Sequence, residues 1–491
     1  MIFKTGENMI QEQILENENN TNVTRGTEAV VAEEYPPNDT MERSEGESRR
    51  AIQLSDHFTT GKLLRYTLPS MIMMVFTSIY GVVDGYFVSN FAGKVQFTAV
   101  NFIMPFLMIL GCVGFMFGTG GSALIALTMG QGKKKRAEEQ FSMIIYASIV
   151  LGIIISLIGQ LILPSVARFL GGSGEMLQYA IRYARIILLA IPAYVLQYEF
   201  QCLFSTAEKP KLGLYVTVAA GCTNMVLDWL FVAVFHWSVE GAAAATALSQ
   251  AVGGILPLIY FVLPNSSTLR LGRARFSGHD LAKVCGNGSS ELMSNIAMSL
   301  VSMLYNTQLL RYIGQDGIAA YGVLMYVNLI FLAVFIGFSV GTAPVISFHY
   351  GAQHHDELHG ILTKSFRIIA VFAACMYFAA EGLSDPLARL YVGYDERLLA
   401  LTKRAFFYFA FSFLFAGFSI FSSSLFTALN NGAISAAISF LRALVFQVLA
   451  VLMLPIVLGT DGIWLSIVVA EVAALIVSAV FLLRNRTRYG Y

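Results

Sequence analysis

The chain has 491 residues, 56% of them hydrophobic and only 13% charged, with a net charge of +1 and a mean hydropathy of +0.64. Soluble globular proteins carry about 25% charged residues, so this composition excludes one of those. The balanced charge points away from a nucleic-acid partner, and what remains is a polytopic α-helical membrane protein in contact with the lipid bilayer.

Residues 1–57 stand apart. The stretch "NENNTNVTRGTEAVVAEEYPPNDTMERSEGESRR" is polar with few large apolar groups, so it is expected to be a disordered cytoplasmic tail, dispensable for the core activity. It lacks the charged start and apolar core of a secretory signal peptide.

Twelve hydrophobic segments follow, near 62–90, 97–127, 141–164, 178–206, 211–235, 241–263, 281–311, 317–348, 361–383, 402–428, 432–457 and 460–483. A hydrocarbon core about 30 Å thick takes about 20 apolar residues per spanning helix. Alternate loops are basic: "KKKR" (Lys133–Arg136), Lys209 with Lys211, "RLGRAR" (Arg270–Arg275), Lys364 with Arg367, and "RNRTR" (Arg484–Arg488). The positive-inside rule then puts both termini in the cytoplasm. Arg389, Arg397, Lys403 and Arg404 crowd one loop on the other side, against that trend.

"GFMFGT" (Gly114–Thr119) in segment two recurs as "GFSVGT" (Gly337–Thr342) in segment eight, 223 residues on (337 minus 114). Six segments per half give both halves the same orientation, hence two six-helix lobes related by a pseudo-twofold along the membrane normal, around a central cleft. The expected division is an N-lobe over 58–264, a cytoplasmic linker over 265–280, a C-lobe over 281–485 and a short tail over 486–491. Segments one, two, seven and eight should frame the cleft.

In segment one, "IYGVVDGYFV" (Ile79–Val88) buries an aspartate in an apolar run. An ionisable group there costs about 2.5–3.5 kcal/mol on insertion scales and normally faces a cavity or a partner. Asn224 and Asp228 in segment five, and Thr246 and Gln250 in segment six, are each four residues apart and so share a helix face. Counting from the segment ends puts Asp84, Asp228 and Thr246 at one depth, roughly 8–11 Å below the outer surface. Two carboxylates, an amide and a hydroxyl are hard oxygen ligands that suit Na⁺, or carboxyls that exchange a proton. Thr246 or Gln250 taken alone reads more readily as a tie between neighbouring helices. The aspartates would not, because an amide ties helices more cheaply than a carboxylate.

Other groups read more plainly. His355 and His359 in "HHDELH" have helical spacing, but Asp356 stands where a zinc-binding H-E-x-x-H pattern needs glutamate, so this is a solvated loop. Glu199, Arg442 and Glu471 are expected to pair between helices. Cys112, Cys202, Cys222, Cys285 and Cys375 sit inside apolar runs without paired spacing and read as small buried hydrophobes.

The Leu68-Pro69-Ser70 stretch, the setting of Asp84, the Asn224-x₃-Asp228 pair, Thr246 and the two G-F-x-x-G-T stretches together resemble the multidrug and toxic-compound extrusion (MATE) family, in its MepA/DinF-like bacterial branch. The resemblance covers about residues 58–485. It implies a cation or proton site in the amino-terminal lobe formed by Asp84, Asn224, Asp228 and Thr246, with no cofactor and no metal besides Na⁺ there. It matches Pro69 to a proline at which segment one can bend, and Glu291 to a glutamate of segment seven. Family members with a second site in the carboxy-terminal lobe carry an aspartate in segment ten. Here "AFFYFAFSFLFAGFSIFSSSLF" has none, so coupling is expected in the N-lobe. Glu291, Gln250 and Tyr80 are additional cavity or coupling candidates.

The implied function is a secondary active multidrug efflux antiporter that exports cationic amphipathic compounds in exchange for Na⁺ or H⁺ by alternating access. It would work as a monomer in a bacterial inner membrane. A lipid-linked saccharide flippase of the same superfamily is the alternative, and would call for an arginine-rich cavity. An enzyme is disfavoured by short loops, and ATP-driven pumping by the lack of a G-x-x-x-x-G-K-[ST] loop.

Overall fold

The computed structural model describes residues 52–393 and 395–491. The expectation of disorder and of a cytoplasmic location for residues 1–51 lies outside that range. Among the described residues ten helices are long and apolar enough to cross a membrane: α1 (Thr60–Ala92), α2 (Val95–Gly130), α3 (Lys134–Phe169), α4 (Gly174–Thr206), α5 (Pro210–Val234), α6 (Ser238–Val262), α8 (Gln315–Gly351), α9 (His355–Arg389), α11 (Gly432–Leu458) and α12 (Thr460–Tyr489). An eleventh span, α10, is a bent pair, with Glu396–Ala410 and Phe413–Ala428 meeting at 47°. The sequence pattern had shown it as one segment. The twelfth, α7 (Gly278–Tyr312), is 35 residues long but interrupted by Asn287, Ser290, Glu291, Ser294 and Asn295. Its polarity has a structural reason, because Glu291, Ser294 and Asn295 line an internal cavity.

Capping residues mark several starts. The side chains of Thr59, Ser277, Asp395 and Asn431 accept from backbone N–H groups of the first turns of α1, α7, α10 and α11. Each cap satisfies a donor that a helix start would otherwise leave unpaired. The spans run well past the hydrocarbon. At 1.5 Å per residue, the 36 residues of α3 reach about 54 Å, so the charged start at Lys134–Arg136 projects beyond a core about 30 Å thick.

One end of the bundle gathers the basic loops. There Glu208 bonds both Leu54 and Thr268, Asn431 bonds Tyr489, and His57 meets Glu357. At the opposite end the excess of basic residues is neutralised in place. Asp385 pairs with Arg389 at 2.9 Å and with Lys403, Arg404 with Asp461 at 2.5 Å, and Arg182 with Glu240 at 3.3 Å. The charge crowding that ran against the loop rule is therefore largely made of ion pairs.

Glycines decide how the lobes meet at the basic end. A Cβ on Gly130 of α2 would lie 2.0 Å from the Phe348 carbonyl of α8, and one on Gly351 of α8 would lie 2.2 Å from the Leu127 carbonyl of α2. Only hydrogen fits between these backbones, the small-residue packing that membrane helices use in place of a hydrophobic driving force. The repeated motif is used asymmetrically. Gly114 and Gly118 admit α4 of their own lobe, against Val195 and Glu199, whereas Gly337 and Gly341 admit α1 of the other lobe, against Met71 and Thr67.

Several expectations need correction. Residues 52–57, read as part of the tail, pack against the body, with Leu54 fully buried. His355–His359 is the first turn of α9, not a loop. Cys222 and Cys375 are exposed on the outside of the bundle, because an apolar run facing lipid needs no burial inside protein. Glu199 is fully buried, yet neither of its carboxylate oxygens has a hydrogen-bond partner among the described residues.

Candidate ion-coupling site and interlobe cavity

Of the sequence-predicted oxygen ligands, Asp84, Asp228 and Thr246 come together inside the N-lobe, while Asn224 and Gln250 are buried on the same helices as Asp228 and Thr246. Asp84 comes from α1, Asn224 and Asp228 from α5, and Thr246 and Gln250 from α6. Gly221 brings the first two helices together, because a Cβ there would lie 2.5 Å from the Phe76 ring of α1. One turn later on the same face stands Asn224. Asp84, Asn224 and Asp228 are 7%, 1% and 0% exposed. Asp84 faces Asp228 and Thr246, near enough for a shared proton to bond the two carboxyls.

What these groups lack is a positive charge. Asp84 Oδ1, both Asp228 carboxylate oxygens, Asn224 Oδ1, Thr246 Oγ1 and Gln250 Oε1 are enclosed, and none has a hydrogen-bond partner among the described residues. Buried polar atoms are normally paired, so such a concentration suits a partner from outside the chain, whether water, a proton or a cation. No lysine, arginine or histidine forms a salt bridge with either aspartate among the described residues. A cation or a proton could supply the missing positive charge. No group of three or more His, Cys, Asp and Glu side chains is placed to hold a metal among the described residues, so a transition-metal centre does not fit. A hard monovalent ion held by carboxylate, amide and hydroxyl oxygens does.

Both acidic helices change geometry beside the site. After Asp84, α1 passes into a π turn at Val88–Ala92, and α5 does so at Trp229–Val234, immediately after Asp228. A π turn leaves its segment less regularly bonded than an α-helix, and such turns gather at functional sites.

Sequence reasoning missed Tyr183 of α4. It is fully buried, its hydroxyl has no partner among the described residues, and it approaches Asp84, Asp228 and Thr246. In the sequence it reads as one more aromatic in an apolar helix. Only the neighbouring Arg182, which turns away to Glu240, hinted at a polar side. Tyr80 lies one helical turn before Asp84 and accepts a long bond of 3.4 Å from Gln197, so it borders the site without entering it. Pro69 is buried within an unbroken α1, far from Asp84 along the helix.

Glu291 lies elsewhere. It lines a cavity between the lobes with Phe115, Thr119 and Ser122 of α2, Ser419 and Ser423 of α10 and Arg442 of α11. Arg442 donates from Nε to Glu471 Oε2 at 2.8 Å, which bears out the expected pairing of those two residues. A hydroxyl chain backs this wall: Ser423 meets Ser435 at 2.9 Å and Ser439 at 2.7 Å, and Thr427 meets Ser435 at 2.7 Å.

Comparison with known proteins agrees with this architecture. The MatE family model matches residues 69–230 and again 292–452, once per lobe, and the two matches begin 223 residues apart, the spacing of the G-F-x-x-G-T stretches. Among curated relatives, the "Multidrug export protein MepA" of Staphylococcus saprophyticus is 24% identical over 86% of this chain and 94% of its own length. The protein of the same name from Staphylococcus haemolyticus is 26% identical over 64% of this chain and 70% of its own. A solved structure described as the outward-facing conformation of a multidrug resistance MATE family transporter superposes with a TM-score of 0.84, at 22% identity, over 90% of this chain and 98% of that one. A MOP superfamily transporter from Pyrococcus furiosus, whose description stresses a binding pocket of reversed polarity, superposes at 0.81 with 22% identity, over 88% of this chain and 96% of that one. With the family model matched in both halves of a twelve-helix, two-lobe membrane fold, the chain belongs to the MatE family and is a MepA-like MATE transporter, not an enzyme.

Proposed function

We propose that this transporter is a secondary active multidrug efflux antiporter, exporting cationic amphipathic compounds in exchange for Na⁺ or H⁺. The observation that carries the ion coupling is the pair Asp84 and Asp228, buried face to face with no salt bridge to either among the described residues. Two carboxylates in low dielectric cannot both remain charged without a cation or proton between them. Asp84, Asp228, Asn224 and Thr246 would hold the ion, and Tyr183 would orient the carboxyls. The substrate class follows from the relatives named as multidrug export proteins and from an interlobe cavity whose polar wall includes Glu291. Aromatic faces such as Phe115 attract organic cations.

The flippase alternative is less well supported, because the cavity is lined by one arginine, Arg442, and that residue is tied to Glu471. In exchange, ion and drug must favour different conformations or compete for one, and each weakens the other by the same factor. Here the lobes are sealed at the basic end by glycine contacts. With that end in the cytoplasm of a bacterial inner membrane, this is the state that releases drug outward. Both repeats lie in one chain, so a monomer is a complete transport unit.

The test is dye efflux from proteoliposomes under an imposed Na⁺ or pH gradient. A gradient of one ion should drive efflux by the unmodified protein, and Asp84→Asn and Asp228→Asn should each stop it while leaving folded protein in the membrane. Efflux at the unmodified rate by either variant would remove the coupling role.

A further inference from the structure

Residues 52–59 lie where the two lobes meet at the basic end and touch both. On the N-lobe side, Leu54 N–H donates to Glu208 Oε1 at 2.7 Å, and Thr268 of the interlobe linker donates to the other oxygen at 2.5 Å. On the C-lobe side, one carboxylate of α9 takes two bonds from consecutive residues. Glu357 accepts the Phe58 N–H at 2.8 Å through Oε1 and meets His57 Nδ1 at 2.6 Å through Oε2. Lys364, two turns further along α9, donates from Nζ to the Phe58 carbonyl at 2.5 Å. Glu357 and Lys364 therefore grip both backbone groups of one residue. Leu54 and Phe58 are fully buried, and the Phe58 ring packs edge-on against Tyr66 of α1 and His349 of α8. Two residues later, at Thr60, this segment becomes α1, the helix that carries Asp84.

We infer that Glu357 and Lys364 are positioning residues of the transport cycle: across the lobe boundary they hold the Phe58 backbone, and so fasten the start of α1 to the C-lobe while the basic end is closed. The inference rests on the two-lobe alternating-access reading. If the lobes separate at this end, α9 must leave residues 57–58, because the rest of that segment is held by Glu208 on the N-lobe. Separation breaks the two bonds to the Phe58 backbone and the His57 contact together and exposes the Phe58 ring. The clamp thus sets the balance between the conformations, and it acts on the helix that holds the coupling carboxylate. A peptide carbonyl and N–H bound by charged groups make strong bonds, but groups so near solvent exchange them for water at modest cost. That suits a contact made and broken in every cycle.

The test is a distance measurement across the basic end on the full chain in lipid nanodiscs. Spin labels are placed at Gln131→Cys after α2 and Gln353→Cys after α8, with the five native cysteines replaced. Glu357→Gln and Lys364→Met should each raise the population with the lobes apart by about 3- to 10-fold, the change that loss of one hydrogen bond supports. Lys364→Arg keeps a charged donor and should stay at the unmodified value. His57→Ala removes a side chain that is 71% exposed, so it tests the clamp without threatening the fold, and should shift the population in the same direction by less. If an organic cation or an ion gradient produces the separated population but these variants leave it unchanged, the clamp is overturned and alternating access stands. If no condition and no variant produces it, alternating access itself fails and the clamp with it.

Discussion

The two lobes place polar groups on the same three helices of each repeat and use them in opposite ways. In the N-lobe the first, fifth and sixth helices carry Asp84, Asn224 with Asp228, and Thr246 with Gln250. In the C-lobe the corresponding helices carry Glu291, Arg442 with Gln447, and Glu471. The C-lobe supplies its own cation. Arg442 bonds Glu471 at 2.8 Å, and Tyr305 donates to Gln447 at 2.9 Å. Among the described residues no lysine, arginine or histidine forms a salt bridge with the N-lobe pair. The two sets also differ in depth. Asp228 immediately precedes the π turn near the far end of α5, whereas Arg442 lies within the π turn of α11, ten residues from that helix's start at the basic end. The difference teaches that a duplicated frame need not duplicate its polar groups. A tethered guanidinium balances the carboxylate of one lobe, whereas the other leaves two carboxyls side by side, the feature on which the proposed coupling rests.

That contrast can be broken at several points. Asp84→Asn or Asp228→Asn should lower gradient-driven efflux by about 10-fold or more, in the range of an ion–substrate coupling free energy. The same substitutions should not lower thermal stability in Na⁺-free buffer at high pH, because each removes an unbalanced buried charge. Glu471→Gln should do the reverse. It leaves the half-buried Arg442 without its partner, at a cost of about 1–3 kcal/mol, read as a lowered unfolding temperature in detergent. The doubly neutral Arg442→Gln with Glu471→Gln should recover much of that loss, and a double variant as unstable as the single would show that the pair is not self-contained. Tyr183→Phe should weaken the ion response by about 2- to 5-fold, the effect of one hydroxyl contact, with the fold unchanged. Tyr305→Phe, which deletes a bond in the C-lobe, should cost about 1 kcal/mol and leave the ion response untouched.

Much of this was legible before any coordinates. Hydropathy located twelve spans, and the repeated G-F-x-x-G-T stretches gave the parallel halves. The cost of burying carboxylates singled out Asp84 and Asp228. The i, i+4 spacing put Asn224 beside Asp228 on one face, and counting along helices matched their depth. What stayed hidden depended on contacts between distant segments. Tyr183 carries no local mark, since a tyrosine in an apolar helix looks alike whether it meets lipid or a carboxylate. The bend in α10 left no trace in hydropathy, because Phe411 and Ser412 sit in a continuous apolar run. Residues 52–57 looked like the end of a polar tail because their order comes from partners some 150 and 300 positions away. Glu357 was masked by the histidines around it, which drew attention to metal chemistry.

Those separations also order the events of synthesis. When residues 52–58 leave the ribosome, their N-lobe anchor at Glu208 is 154 residues away from Leu54, and Glu357 is 300 residues away from His57. At about 5–20 residues per second, the second partner appears about 15–60 s after the segment it will hold. Throughout that interval Phe58 has no C-lobe to cover it, while the N-lobe can already assemble around its own six helices. The join between the lobes therefore closes late, once α9 has entered the membrane. A nascent chain stopped before residue 357 should accordingly carry an N-lobe whose leading segment is open to protease, and one stopped after α9 should protect it.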